Sequence, residues 1–169
     1  MNDILVGNIC SLCAMISDSF SGTRKKRGEM LAVQILSQFF YGAGSIVLKG
    51  YSGSAQNAVA VLRNLAAIRG IHSRALEWTL AALGVVLGAA FNNRGLIGWL
   101  PIVANLQYSL VVFRCGENGK SLKVSFIVCM LMFTVFSAAI RNYVGIAANL
   151  FIAFTTGASL LREARRRSV

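Results

Sequence analysis

Basic residues occupy every second gap between seven apolar stretches, and this alternation constrains the chain more than any other feature. The stretches run roughly Ile4–Phe20, Met30–Leu48, Tyr51–Ile68, Leu76–Phe91, Leu96–Phe113, Leu122–Ile140 and Tyr143–Leu161. Each approaches the length an α-helix, rising about 1.5 Å per residue, needs to cross a hydrocarbon core about 30 Å thick. Of 17 cations, 13 fall in the gaps after stretches 1, 3, 5 and 7, from the run Arg24-Lys25-Lys26-Arg27 to the arginines that follow stretch 7. Lys49, Arg94 and Arg141 stand alone in the other gaps, and Arg63 lies inside a stretch. Lysine and arginine collect in short cytoplasmic loops. The expectation is an all-α integral membrane protein of seven transmembrane helices, with its N-terminus outside and its C-terminus in the cytoplasm.

Composition excludes the main rivals. Hydrophobic residues make up 56 % and charged residues 14 %, with a mean hydropathy of +0.62, whereas soluble domains carry about 25 % charged residues. A net charge of +11 in a soluble chain would suggest nucleic acid. Here orientation and anionic lipid headgroups account for it, so membrane lipids are expected partners and nucleic acid is not. The first stretch has Asp3 in place of a basic n-region, so span 1 is expected to be retained rather than cleaved.

Spans 3 and 7 open alike: Tyr51-Ser-Gly53-Ser-Ala55-Gln-Asn57 and Tyr143-Val-Gly145-Ile-Ala147-Ala-Asn149. The same offset places Ser17 on Ser109 and Ser45 on Ser137. The pattern predicts one polytopic domain of two parallel three-helix repeats, about 3–69 and 95–162, joined by a linker helix at about 74–92. The linker carries Gly84-x-x-x-Gly88, a small-residue face suited to close helix approach. It serves either to dock the linker on a repeat or to form a homo-oligomer. Trp78, Trp99, Tyr51 and Tyr143 sit near span ends, as interfacial aromatic belts require.

Taken together, a 3+1+3 parallel repeat of this size resembles the SWEET/PQ-loop superfamily of small transporters. More closely, the chain is similar to the YgjV-type bacterial inner-membrane protein family. The likeness is carried by Arg24-Lys25-Lys26-Arg27, Gln34-Ile-Leu-Ser37-x-x-x-Tyr41, and Gly50-Tyr51-Ser-Gly53 leading to Asn57 and Arg63-Asn64. It implies the bacterial cytoplasmic (inner) membrane. SWEET-type transporters place an asparagine pair on their third and seventh helices around the substrate, and Asn57 and Asn149 match those positions. The prolines that hinge the first helix of each PQ-loop repeat do not carry over, since Pro101 in span 5 is the chain's single proline.

The polar residues inside the spans point the same way. An amide offers two donors and two acceptor lone pairs, enough to hold a hydroxyl, an amide or a carboxylate. Asn57, Asn149, Gln34, Gln38 and Asn105 are the candidate substrate-binding set, with Gln107 and Asn8 adding polarity, and interhelical packing is the alternative use for each. Arg63 either snorkels to the inner headgroups or turns inward to pair with Asp18 or Glu77. Asp18 and Arg63 are the gating or coupling candidates. Cys10-x-x-Cys13 shares one helix face without the further ligands a metal site needs, so no metal or other cofactor is expected. His72, the single histidine, is expected to be solvated. With no paired acids in one span and no nucleophile–base pattern, catalysis is not expected. The leading expectation is a transporter or facilitator for a small polar solute, working by alternating access. The alternative is a non-transporting structural, lipid-interacting or partner-binding bundle.

Overall fold

Each apolar stretch becomes a helix. The structure, a computed structural model, describes residues 2–71, 73–114 and 119–167, without the side chains of residues 22, 166 and 167. His72 and Cys115 lie outside the described residues. The helices are α1 (Asn2–Thr23), α2 (Arg27–Val47), α3 (Tyr51–Ile68), α4 (Arg74–Ala90), α5 (Trp99–Arg114), α6 (Lys120–Ala139) and α7 (Tyr143–Arg167), with a 3₁₀ turn at Gly95–Gly98 before α5. Five of them, α1, α2, α6, α7 and α5 with its leading turn, are long and apolar enough to cross a membrane. The other two are α4, at 17 residues, and α3, at 18 residues, where Gln56, Asn57, Arg63 and Asn64 dilute the hydropathy.

Sequence neighbours pack side by side from α1 to α7, and α7 closes back onto α1. α3 also touches α5 directly, so α4 braces the outside of that seam. The small face of α4 makes this contact. Gln56 Nε2 on α3 donates to the Gly84 carbonyl at 2.6 Å, and a Cβ at Gly88 would stand 2.6 Å from Ile102 Cγ1 on α5. Of the two uses open to the Gly84-x-x-x-Gly88 motif, the chain employs docking within itself.

Matching local geometry recurs in the two halves. α2 ends at a left-handed Lys49 (φ 57°) and α6 at a left-handed Arg141 (φ 58°), the two non-glycine residues of positive φ among those described. Gly50 N–H returns to the Ser45 carbonyl (2.7 Å) and Lys49 N–H to that of Ile46 (3.0 Å); Asn142 N–H returns to Ser137 (2.9 Å) and Arg141 N–H to Ala138 (3.2 Å). This paired pattern is the Schellman closure of a helix C-terminus. Each cation, just past the last turn of its helix, also stands at the negative end of the helix dipole. Every member of one set lies 92 positions from its counterpart.

The outside of the ring is apolar and much of the inside is polar, the reverse of a soluble bundle. Phe39, Val86, Phe154 and Leu161 are more than 60 % exposed, as side chains facing lipid must be. Trp78, Trp99, Tyr51 and Tyr143 are also exposed. Inside, a large apolar cluster fills the half nearer the basic loops, with Met30, Leu31, Val112, Leu122 and Ile152 at its core. A smaller cluster, Leu48, Phe136 and Ile140, closes the opposite end. Phe136 reaches the start of α3, where a Cβ at Gly53 would lie 2.7 Å from its ring. Glycine is needed there for close approach.

Candidate functional site

Between the two apolar clusters lies a cavity of mixed polarity lined by α2, α3, α5, α6 and α7. It leaves a water-sized sphere about 30 Å³ to move in. That is room for one or two waters, so the protein is closed around it.

Arg63 is the charged group at this cavity. It is buried, with 1 % of its surface exposed, and it faces inward rather than snorkelling. Nε donates to Asn64 Oδ1 (3.0 Å), and Nη1 donates to Asn105 Oδ1 (2.5 Å) and Ser109 Oγ (3.1 Å). Its guanidinium carbon stands 4.7 Å from the centroid of the Tyr108 ring, a cation–π contact that gains strength when water is excluded. Neither expected ion pair forms. Glu77 is held by Arg114 at 2.9 Å, and Asp18 accepts from Ser37 Oγ. A buried guanidinium needs acceptors more than it needs a counter-charge. Three neutral oxygens and an aromatic face meet that need here.

Beyond Arg63, a relay ties α3 to α5 and α2. Asn105 Nδ2 donates to Gln56 Oε1 (3.0 Å) and to the Gln56 carbonyl (2.8 Å). Tyr108 donates its hydroxyl to Gln34 Oε1 (3.0 Å), which also accepts from Asn64 at 3.4 Å.

The two asparagines at matching positions, Asn57 and Asn149, both line the cavity. Asn57 is buried and makes no side-chain hydrogen bond to any described residue. Asn149 has a single long one, to Ser137 at 3.4 Å. Gln38 lines the cavity without a partner among the described residues, and the buried Tyr41 hydroxyl, also at the cavity, has none. Buried polar groups are paired in the great majority of cases. Bare polar atoms also occur away from the cavity, on Arg27, Ser52 and Thr156, but Asn57, Gln38 and Tyr41 share one space in which water or a ligand can supply the partner.

A family model of bacterial inner membrane proteins, Imp-YgjV, matches residues 5–167. The chain belongs to that family. No curated protein and no solved structure matches it. The YgjV-family chain, with its several membrane-length helices, is a multi-pass protein of the bacterial inner membrane.

Within this YgjV-family protein, four of the five expected binding residues reach the cavity: Asn57, Asn149, Gln38 and Asn105, with Arg63 beside them. Gln34 does not line it. One turn nearer the basic end than Gln38 on the same face of α2, it meets the Tyr108 hydroxyl, which fills the centre of the bundle at that level. Asp18 is also off the cavity, fully enclosed where α1 meets α2, with Oδ2 unpartnered among the described residues. Gln107 is spent on Ser125 across α5 and α6, and Asn8 accepts from the Val144 N–H at the start of α7 (2.9 Å). Cys10, Cys13 and Cys129 are free thiols.

Three contributors are not among the expected binding residues: Gln56, Tyr41, which enters only through the family likeness, and the α6 wall. Gln56 adjoins Asn57, and adjacent residues on a helix point about 100° apart. Both can therefore be buried only because α4 covers one side of α3 and the cavity the other. The α6 wall consists of Phe126, Cys129, Met130, Phe133, Phe136 and Ser137, and all but Ser137 read in a sequence as ordinary lipid-facing or packing residues.

Proposed function

We propose that this protein is a small transporter or facilitator that moves a small polar solute across the inner membrane. The observation that carries the reading is the set of unengaged polar side chains, Asn57, Gln38 and Tyr41, on a closed central cavity. Interhelical glue would be bonded, and these groups are not.

The proposed architecture has all seven helices crossing the bilayer. α1–α3 and α5–α7 are parallel repeats about an axis near the membrane normal, with α4 as the linker. The mirrored helix ends at Lys49 and Arg141 support it. So does the matched packing of α3 on α5 and of α7 on α1. Alternating access then consists of one repeat rocking on the other, and the solute binds where the repeats meet. In the orientation the loop charges favour, the basic end is cytoplasmic. Asp18, a buried carboxylate with one bare oxygen, is the residue proposed to couple a proton to the movement.

Liposomes reconstituted with the purified protein test this against the rival static bundle, which the small volume of the cavity favours. Saturable uptake of any solute from a panel of sugars, amino acids, amides and organic acids, lost in Asn57→Ala, is the expected result. No uptake above protein-free liposomes for the whole panel overturns it.

A further inference from the structure

We propose that the cavity recognises a small amphipathic organic anion, a carboxylate carrying a short apolar group. The inference rests on the transport reading and specifies its substrate class.

The first argument is charge. Arg63 is fully enclosed, and all three of its hydrogen bonds go to neutral oxygens. The ion pairs Arg114–Glu77 and Lys123–Glu163 do not involve it. Bonds through Nε and Nη1 leave Nη2 with no partner among the described residues. An enclosed charge without a counter-charge is costly, and a ligand bringing the opposite sign relieves that cost. The other ionisable groups around it are Tyr41, Tyr108, Cys129 and Asp18. Asp18 faces Ser37 on α2 and does not line the cavity.

The second argument is donor chemistry. The groups left bare on the cavity that Arg63 also lines are the amides of Asn57 and Gln38 and the hydroxyl of Tyr41, and each can donate. One guanidinium nitrogen with neutral donors around it is a complete cradle for a carboxylate. Charge-assisted bonds of this kind are about twice as strong as neutral ones.

The third argument is shape. Gln38 and Tyr41 of α2 occupy the positions that Met130 and Phe133 occupy on α6, at the 92-residue offset. The α2 side of the cavity is therefore polar where the matching α6 positions are apolar, with Ser137 the one hydroxyl that α6 contributes to the lining. A sugar, hydroxylated on every side, would press hydroxyls against α6 without partners. Once the helices part to widen a cavity that now has room for one or two waters, a carboxylate with a short hydrocarbon or aromatic group satisfies both walls.

The experiment follows thermal unfolding of the purified protein in detergent with butyrate, isovalerate and benzoate. The controls are their primary amides, glucose, and chloride at equal ionic strength. The expected result is a saturable rise of about 3–6 °C with at least one carboxylate and none with its amide or with glucose. Arg63→Gln should abolish the rise, and Arg63→Lys should keep the preference for acid over amide with affinity reduced about tenfold. The comparison of acid with amide in the unaltered protein stands even if Arg63→Gln does not fold. If an amide or glucose stabilises as much as the carboxylates, or if Arg63→Gln keeps the carboxylate effect, the anion assignment is overturned and the transport reading survives. The anion assignment also falls, and transport again survives, if no probe shifts unfolding while the liposomes take up neutral solutes. Loss of both binding and all uptake overturns both.

Discussion

Arg63 on α3 donates to Asn105 on α5 across the seam between the two halves of the chain, at 2.5 Å. In this contact the buried charge of one half meets an amide of the other, and it makes Asn105 a sensitive position. Asn105→Asp places a carboxylate on the guanidinium. The variant gains the counter-charge but loses both bonds that Asn105 Nδ2 donates to Gln56, so its stability should stay within about 1 kcal/mol of the parent's. It should also lose the response to added carboxylates by about tenfold or more in affinity, because the charge it needs is already satisfied. Unfolding midpoints with and without benzoate measure both effects. An Asp variant that still responds to benzoate like the parent contradicts the prediction.

Asn57 and Asn149 stand at matching positions but not in matching circumstances. Asn57→Ala removes an amide that bonds to no described residue, so stability should change by no more than about 0.5 kcal/mol while solute uptake falls. Asn149→Ala leaves the Ser137 hydroxyl without its partner and should cost about 0.6 kcal/mol, a typical interhelical bond in a membrane. Denaturation in mixed micelles, read beside uptake, separates the two. A large loss of stability in Asn57→Ala would reveal a packing role.

Lys49→Gly and Arg141→Gly should each stabilise the protein by about 1 kcal/mol, because a left-handed conformation strains any residue with a Cβ. The two gains should be similar and additive, since the sites lie in separate turns. A gain at one site only would mean that the two helix ends are not equivalent despite their shared φ.

Gly53→Leu should displace α6 from the start of α3, because the new side chain meets the ring of Phe136. Overpacking of this kind costs about 1–3 kcal/mol. Phe136→Ala should rescue the variant, and cysteine accessibility near Ile140 would report the opening. If Gly53→Leu matches the parent in stability, the contact is looser than its geometry.

Single-cysteine labelling settles orientation. In the proposed orientation, with the basic loops at the inner face, a thiol at position 120 should be reached only from the cytoplasm and one at position 94 only from outside. Labelling of both from one side would invalidate the seven-span arrangement.

The helices are legible in the sequence because lipid enforces a simple rule: every backbone group must be bonded within the segment, so each apolar run of the right length becomes a helix. Tyr51–Ile68 and the start at Tyr143 have the same bounds in the sequence as in space. The likeness between spans 3 and 7 is enough to bring Asn57 and Asn149 to one cavity. The fate of Arg63 is not legible, because its partners Asn105 and Ser109 lie more than 40 positions away. No local pattern tells a snorkelling arginine from one held inward. Gln34 is misplaced for a similar reason: its face of α2 is right, but its depth depends on Tyr108, which no helical period on α2 encodes.

The two apolar clusters that close the cavity are unequal in mass. A thick seal lies toward the basic loops and a thin one, little more than Leu48, Phe136 and Ile140, at the other end. Fewer side chains stand between the cavity and the surface at the thin cluster than at the thick one, so on the transport reading proposed above the end opposite the basic loops is the cheaper one to open.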